Sequence, residues 1–213
     1  MRICVIGTGY VGLVTGVCFA DLGNIVHCVD TDVNKIKKLN YGTVPIFEPG
    51  LDELVKKCYN DKRLIFTTDL KRSVTYSDII FLCVGTPTVK KTNSVNLKYV
   101  FKVARDIRRY IKKFKTIIIK STVPVNTGNK VEKIINSKVN RKLFEVVSNP
   151  EFLREGEAIR DFKYPDRIII GTENKKVIKV LANLYDPIIK KGAVYYKTSR
   201  CSAELIKYAS NDF

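Results

Sequence analysis

Histidine is nearly absent from this chain. A single residue, His27, serves 213 positions, and it stands inside an apolar run where a structural role is expected. A metal site built on several imidazoles is therefore excluded, and no metal is expected. The six cysteines include no C-x-x-C pair, and four of them sit in apolar runs. They read as reduced, mostly buried thiols of a cytoplasmic protein. No apolar stretch reaches the ~18 residues that a membrane crossing needs. The apolar N-terminus reads directly as a strand with Asp21 close behind, so no signal peptide is visible. Neither a G-x-S-x-G elbow nor a phosphate-binding P-loop occurs, and repeats, low-complexity tracts and linkers are missing too.

Acidic residues are scarce beside basic ones, 21 against 38, for a net charge of +17. That balance suits a nucleic-acid partner, but its distribution argues against one. In "NLKYVFKVARDIRRYIKKF", Val100, Ala104, Ile107, Ile111 and Phe114 fall on one helical face. Lys98, Lys102, Arg105, Arg109 and Lys112 fall on the other, which describes an amphipathic helix with a solvated basic side. The remaining lysines are scattered in ones and twos along the chain. Neither nucleic acid nor membrane is expected as a partner. A basic surface still suits an anionic nucleotide substrate.

Apolar runs alternate with stretches of helical period. Strands are predicted at 2–7, 25–30, 64–67, 78–84, 116–120, 144–148, 167–171 and 193–196. Helices are predicted at 10–22, 32–40, 50–59, 97–113, 126–138, 153–160, 174–184 and 201–213. "IIFLCV" and "TIIIK" are apolar on both faces, as buried parallel strands are. The alternation implies an α/β fold: a doubly wound parallel sheet with helices on both faces. The longest polar gap, 85–96, is a candidate functional loop.

The first strand runs into "GTGYVGL", with Gly7, Gly9 and Gly12 in G-x-G-x-x-G spacing. Gly7 allows a tight turn, Gly9 lets a phosphate approach the backbone, and Gly12 lets helix pack on strand. The N–H groups at the start of that helix, Tyr10 and Val11, then meet the ligand's negative charge. A second apolar run ends in Asp30, 18 residues after Gly12, where a carboxylate accepts bonds from an adenosine ribose and repels a 2′-phosphate. A Rossmann-like site for NAD, rather than NADP, is expected. A glycine turn in a generic α/β protein is the competing reading.

Three later segments carry directed polar groups. "FLCVGTPT" places Gly85 and Thr86 after a buried strand, across the crevice from the glycine turn. "IIIKSTVPVNTG" places Ser121 and Thr122 just past another, where a helix N-cap is the bland alternative. "SNPEFLREGEAIRDFKYPDRIIIG" brings Glu151, Glu155 and Glu157 after a third, with Pro150 and Gly156 marking a non-helical start. A solvated turn with surface carboxylates competes there. "SAELIKYASNDF" reads as a helix just begun, with Ala203, Leu205 and Ile206 opening an apolar face. The chain reads as shorter than the architecture it belongs to.

Taken in order, "GTGYVGL", Asp30, "GTVPIFEPGLDEL", "CVGTP", "KSTVPV", "NPEFLREGEAIRDFKYPDRIIIG" and "SAELIKYASN" resemble the UDP-glucose/GDP-mannose dehydrogenase family over the whole chain. The resemblance implies oxidation of a sugar C6 alcohol to a carboxylate in two steps, with two NAD and a cysteine nucleophile. It points to a UDP-sugar substrate, nearer the UDP-glucose branch than the GDP-mannose branch. It implies that Gly7, Gly9, Tyr10, Val11, Gly12, Asp30, Gly85, Thr86, Thr122 and Glu155 serve NAD. Thr122, Glu151, Glu155, Lys207 and Asn211 are implied as catalytic residues. Glu151, Phe152, Leu153, Lys207 and Asn211 are implied at the sugar-nucleotide site, with Lys207 and Asn211 stabilising an oxyanion.

There are departures from the family pattern. The family's G-G-x-C-x-P-K-D segment, which carries the nucleophile, has no counterpart here, and none of the six cysteines takes its place. The rest of the central helix, which usually forms the family's dimer, and the C-terminal nucleotide-sugar domain are missing too. The implied organisation is an NAD-binding domain at 1–200 and the start of the central helix at 201–213, inactive alone. Asn126 stands where the family often has glycine, and the "VGTP" loop lacks the usual acidic residues before the next helix. A non-catalytic nucleotide-binding module is the alternative.

Overall fold

The computed structural model describes residues 1–89 and 94–211. Its strands are β1 (Arg2–Ile6), β2 (Ile25–Val29), β3 (Leu64–Thr67), β4 (Ile79–Leu82), β5 (Thr88–Val89), β6 (Ser94–Val95), β7 (Lys115–Ile119), β8 (Phe144–Ser148), β9 (Arg167–Gly171) and β10 (Val194–Thr198). Its helices are α1 (Tyr10–Asp21), α2 (Val33–Asn40), α3 (Leu51–Asn60), α4 (Leu70–Tyr76), α5 (Lys98–Ile107), α6 (Thr127–Asn136), α7 (Ala158–Lys163), α8 (Lys175–Ile189) and α9 (Arg200–Asn211).

Eight strands form one sheet in the order β10-β9-β8-β7-β4-β1-β2-β3. The strand "IIFL" shows why both faces are covered. Ile79 and Phe81 join the core under α1, α3, α7 and α8. Ile80 and Leu82 join a second core under α4, α5 and α6. Strand order reverses between β1 and β4, so a crevice opens at their carboxyl ends, where open α/β sheets bind ligands.

The sheet is parallel from β3 to β8, but β8 meets β9 antiparallel, with Ser148 opposite Gly171, and β10 follows β9. A parallel return needs a helix laid along a sheet face. Between β8 and β9 the chain forms only the six-residue α7, and the strand direction reverses.

Several boundaries differ from the sequence reading. The helix predicted at 153–160 starts at Ala158, because Gly156 turns the chain with φ +86°. The one predicted at 97–113 stops at Ile107 and tightens into a 3₁₀ turn at Arg108–Tyr110. Ile111 is then extended, and Phe114, expected on the apolar face, is exposed. The helix predicted to end at 184 continues through Pro187 to Ile189. Helix α4 was not anticipated, although Asp69 caps it by accepting from the Arg72 N–H at 2.9 Å. In the polar gap, Thr88–Val89 and Ser94–Val95 pair antiparallel; residues 90–93 lie outside the described residues, as do 212–213 of the last predicted helix.

The buried face of α9 also departs from expectation. Ala203 is buried, but Leu205 is exposed and Ile206 half-buried. Glu204 and Lys207 point inward instead. The Glu204 carboxylate accepts from the N–H groups of Asn126 (2.6 Å) and Gly128 (2.7 Å), and from Ser148 Oγ (3.0 Å). It thereby caps α6 and docks α9. Burial pushes its carboxyl above the usual value despite those bonds. Asn126 adopts φ +74°, a left-handed conformation that asparagine tolerates and glycine prefers. His27 is buried, stacked on Tyr76 and 3.2 Å from Ser73 Oγ.

Candidate functional site

The glycine turn forms as its spacing requires. Gly7 has φ +98°, and a Cβ on it would lie 2.7 Å from the Cys83 carbonyl oxygen. A Cβ on Gly12 would sit 1.8 Å from the Gly7 oxygen, so only glycine lets α1 approach β1 this closely. A Cβ on Gly9 would meet nothing within 4 Å; it would fill the open space a phosphate needs. Gly9 also caps α1 without a side chain, so no side chain competes for the first-turn N–H groups.

Beside this turn lies a cleft of about 410 Å³, lined by Gly7, Gly9, Asp30, Lys35, Cys83 and Gly85, among others. The two loops expected across the crevice from one another do share it. Asp30 Oδ2 accepts from the Thr8 N–H (2.9 Å), the Thr8 hydroxyl (2.7 Å) and Lys35 Nζ (3.0 Å). Asp30 Oδ1 accepts from the Asp32 N–H at 3.1 Å. Burial alone would raise this carboxyl; the Thr8, Asp32 and Lys35 donors outweigh it and hold its pKa at about 2. An ionised carboxylate therefore stands at the cleft, with a cation against it that the sequence reading missed. Lys35 follows Asp30 by five residues, a spacing that carries no signal by itself.

The other implied residues gather at the ends of β4, β7 and β8. Thr86 Oγ1 donates to the Thr122 carbonyl at 2.9 Å, which joins the two loops. Thr122 and Lys207 line one small cavity with Pro150 and Glu204. Lys207 Nζ lies 3.2 Å from Glu151 Oε1. Glu151 Oε2 accepts from the Leu153 N–H at 2.6 Å, curling the segment back on itself. The Phe152 ring takes Arg167 and Lys207 on its face, at 4.9 and 5.2 Å. Glu155 is exposed; burial and the Glu48 hydrogen bond raise the Tyr10 hydroxyl beside the dinucleotide turn, and the Glu155 charge adds to that rise. Tyr10 and Val11 occupy the first turn of α1, as expected. Asn211 stands one turn beyond Lys207 in α9; its side chain lies outside the described residues.

Lys120, Asn149 and Tyr185 line a neighbouring cavity with Glu151, Phe152 and Leu153. Lys120 is buried with its Nζ 3.2 Å from Asn149 Oδ1, which also accepts from the Tyr185 hydroxyl at 2.7 Å. Burial lowers the Lys120 ammonium to about 8. A lysine closing the run "TIIIK" reads as a solvated strand end, which is why sequence reasoning passed over it.

A family model for the NAD-binding domain of the UDP-glucose/GDP-mannose dehydrogenases matches residues 1–189. The chain belongs to that family. NAD is accordingly the cofactor of this domain, and the open cradle at Gly9 and the acidic Asp30 fit it. The chain is 49% identical to a UDP-glucose 6-dehydrogenase of Rhizobium meliloti and 47% identical to UDP-glucose 6-dehydrogenase TuaD of Bacillus subtilis, with all of this chain covered in both. A GDP-mannose dehydrogenase from Pseudomonas aeruginosa superposes with a TM-score of 0.94 at 36% identity, over 100% of this chain and 49% of that one. A UDP-glucose dehydrogenase from Pyrobaculum islandicum gives 0.92 at 37%, over 98% and 48%. The chain spans about half the length of the curated relatives it matches, 49% and 45% of the first two. Among the described residues no helix is long and apolar enough to cross a membrane, and no cluster of His, Cys, Asp or Glu suits a metal.

Proposed function

We propose that this chain is the NAD-binding part of a UDP-glucose 6-dehydrogenase, an enzyme that oxidises UDP-glucose to UDP-glucuronate with two NAD. The observation that carries the proposal is the convergence of Thr122, Glu151 and Lys207 at the strand ends, beside the cleft that holds the dinucleotide turn. NAD, held by the glycine turn and Asp30, would supply the hydride acceptor. The chain's own residues supply the rest of the first step: the C6 hydroxyl loses its proton to a base or water held by Thr122 and Glu151. The Lys207 ammonium stabilises the developing alkoxide, and Asn211 follows one turn later in α9. Phe152 and Leu153 line the sugar-nucleotide side, while Thr86, Gly85 and Glu155 lie on the dinucleotide side. Residues 1–200 form the cofactor domain, and 201–213 open the central helix.

The second oxidation needs a thiolate that adds to the aldehyde, so that hydride leaves a tetrahedral carbon. Five of the six cysteines are buried. Burial pushes the Cys18 and Cys83 thiols up to about 12 and raises Cys4, Cys28 and Cys58 as well. Cys201 lies in the first turn of α9, more than one turn before Lys207. These 213 residues alone therefore do not make UDP-glucuronate. The test is NADH release from NAD and UDP-glucose with product identification. Two NADH per UDP-glucuronate, formed steadily by the purified chain, would overturn the second half of the proposal. Another nucleotide sugar is the alternative substrate, favoured by the fit to the GDP-mannose dehydrogenase, and GDP-mannose in the same assay distinguishes it.

A further inference from the structure

The segment "GTVPIFEPG" lies between α2 and α3 and takes no part in the site described so far. Its Phe47 is exposed, yet the adjacent Glu48 is 5% exposed. No salt bridge reaches this carboxylate among the described residues. It is held by donors from two distant segments instead. Glu48 Oε2 accepts from the Gly156 N–H at 2.9 Å, and Oε1 from the Ile159 N–H at 3.2 Å. The Tyr10 hydroxyl donates to Glu48 Oε2 and accepts from the same Gly156 N–H at 2.9 Å.

Each partner sits where function is concentrated. Tyr10 is the first residue of α1, next to Gly9 of the dinucleotide turn. Gly156 follows Glu155 and ends the short run that begins at Glu151; its φ of +86° makes the turn into α7. Glu48 thus ties the cofactor turn to the segment carrying the implied catalytic carboxylates. A buried carboxylate is costly unless its lone pairs are met. The bonds are strong only while all three segments hold their places. Both Glu48 oxygens act as acceptors, so glutamine is a poor substitute: its NH₂ would face an N–H or the phenol.

We propose that Glu48 is a positioning residue that couples cofactor binding to the placement of the 151–157 segment, with Tyr10 as the link. The proposal rests on the NAD reading of the glycine turn. A ligand that immobilises the first turn of α1 also immobilises the Tyr10 ring, and the 151–157 segment then loses less freedom on ordering. By reciprocity, a sugar nucleotide ordering that segment tightens NAD binding by the same factor.

The experiment is amide hydrogen exchange at Gly156 and Ile159, with and without saturating NAD, in the wild-type chain and in Tyr10→Phe and Glu48→Gln. NAD affinity is measured in each, and the buried β1 amides control for the fold. In the wild type, NAD should slow exchange at both amides by about tenfold, a typical coupling. Tyr10→Phe keeps the two Glu48–amide bonds, so exchange without NAD should stay slow while the NAD-induced slowing falls below about twofold. Glu48→Gln should speed exchange at both amides even without NAD and weaken NAD binding several-fold, with β1 protection retained. A purely structural Glu48 would leave the response to NAD intact in Tyr10→Phe, and that result overturns the proposal. NAD binding by the wild type with no slowing at either amide also overturns it, while leaving the cofactor assignment standing. No NAD binding at all would remove both. If Glu48→Gln fails to fold, Tyr10→Phe still decides.

Discussion

The Lys207 ammonium stands 3.2 Å from the Glu151 carboxylate, with the two side chains 9% and 11% exposed. The pair joins α9 to the segment after β8, and so places a cation from the last helix at the strand ends. Removing one partner leaves the other charge nearly buried and unpaired, which costs about 3 kcal/mol. Lys207→Met and Glu151→Gln should each destabilise by about that amount, and the double variant by clearly less than their sum. Urea denaturation of the four proteins measures the coupling. Strict additivity would mean that the pair does not act as a unit.

Lys120 should mark the alkaline limb of the stability curve. Its folded pKa, about 8, lies below its ordinary value of 10.5. Between those values the folded chain binds fewer protons than the unfolded one. Unfolding then takes up a proton, and stability rises as pH increases through that window. Below pH 8 the buried charge is a standing cost. Lys120→Met should therefore be the more stable protein at pH 7, by about 2 kcal/mol, and the gap should close by about pH 10. Denaturation curves at several pH values test this, and parallel profiles would show that Lys120 is not a strained cation.

Glu204 should govern how firmly α9 is held. Replacing it with alanine leaves the Asn126 and Gly128 N–H groups without their acceptor. The expected loss is about 1–3 kcal/mol, with faster hydrogen exchange over Arg200–Lys207. Uniform protection along α9 in Glu204→Ala would show that the helix is held by other contacts.

What could be read in advance depended on how local the cause was. Gly7 and Gly12 were legible because a turn and a close approach admit no other residue. The apolar strands were legible because both sheet faces are covered. The reversal at β9 was not, since it depends on how the chain passes α7 rather than on the strand itself. The short α4 was missed because it spans only Leu70–Tyr76, too brief to establish a period. Asn126 was noticed as an oddity, and its φ of +74° supplies the reason. Within the site, Thr86, Thr122, Glu151 and Lys207 did converge. Glu48 stayed hidden because its partner Gly156 is 108 residues away. Lys120 stayed hidden because burial, rather than sequence, makes a lysine unusual.

Titration calorimetry with NAD and NADP tests the central claim most directly. Asp30 is ionised and faces the cleft, with Lys35 against it. The account predicts tighter binding of NAD than of NADP by the 213-residue chain. Asp30→Ala should weaken NAD by about 1–3 kcal/mol, and should narrow the gap to NADP by releasing Lys35 toward the added phosphate. Equal affinity for the two cofactors, or tighter NADP, would contradict the assignment of this cleft.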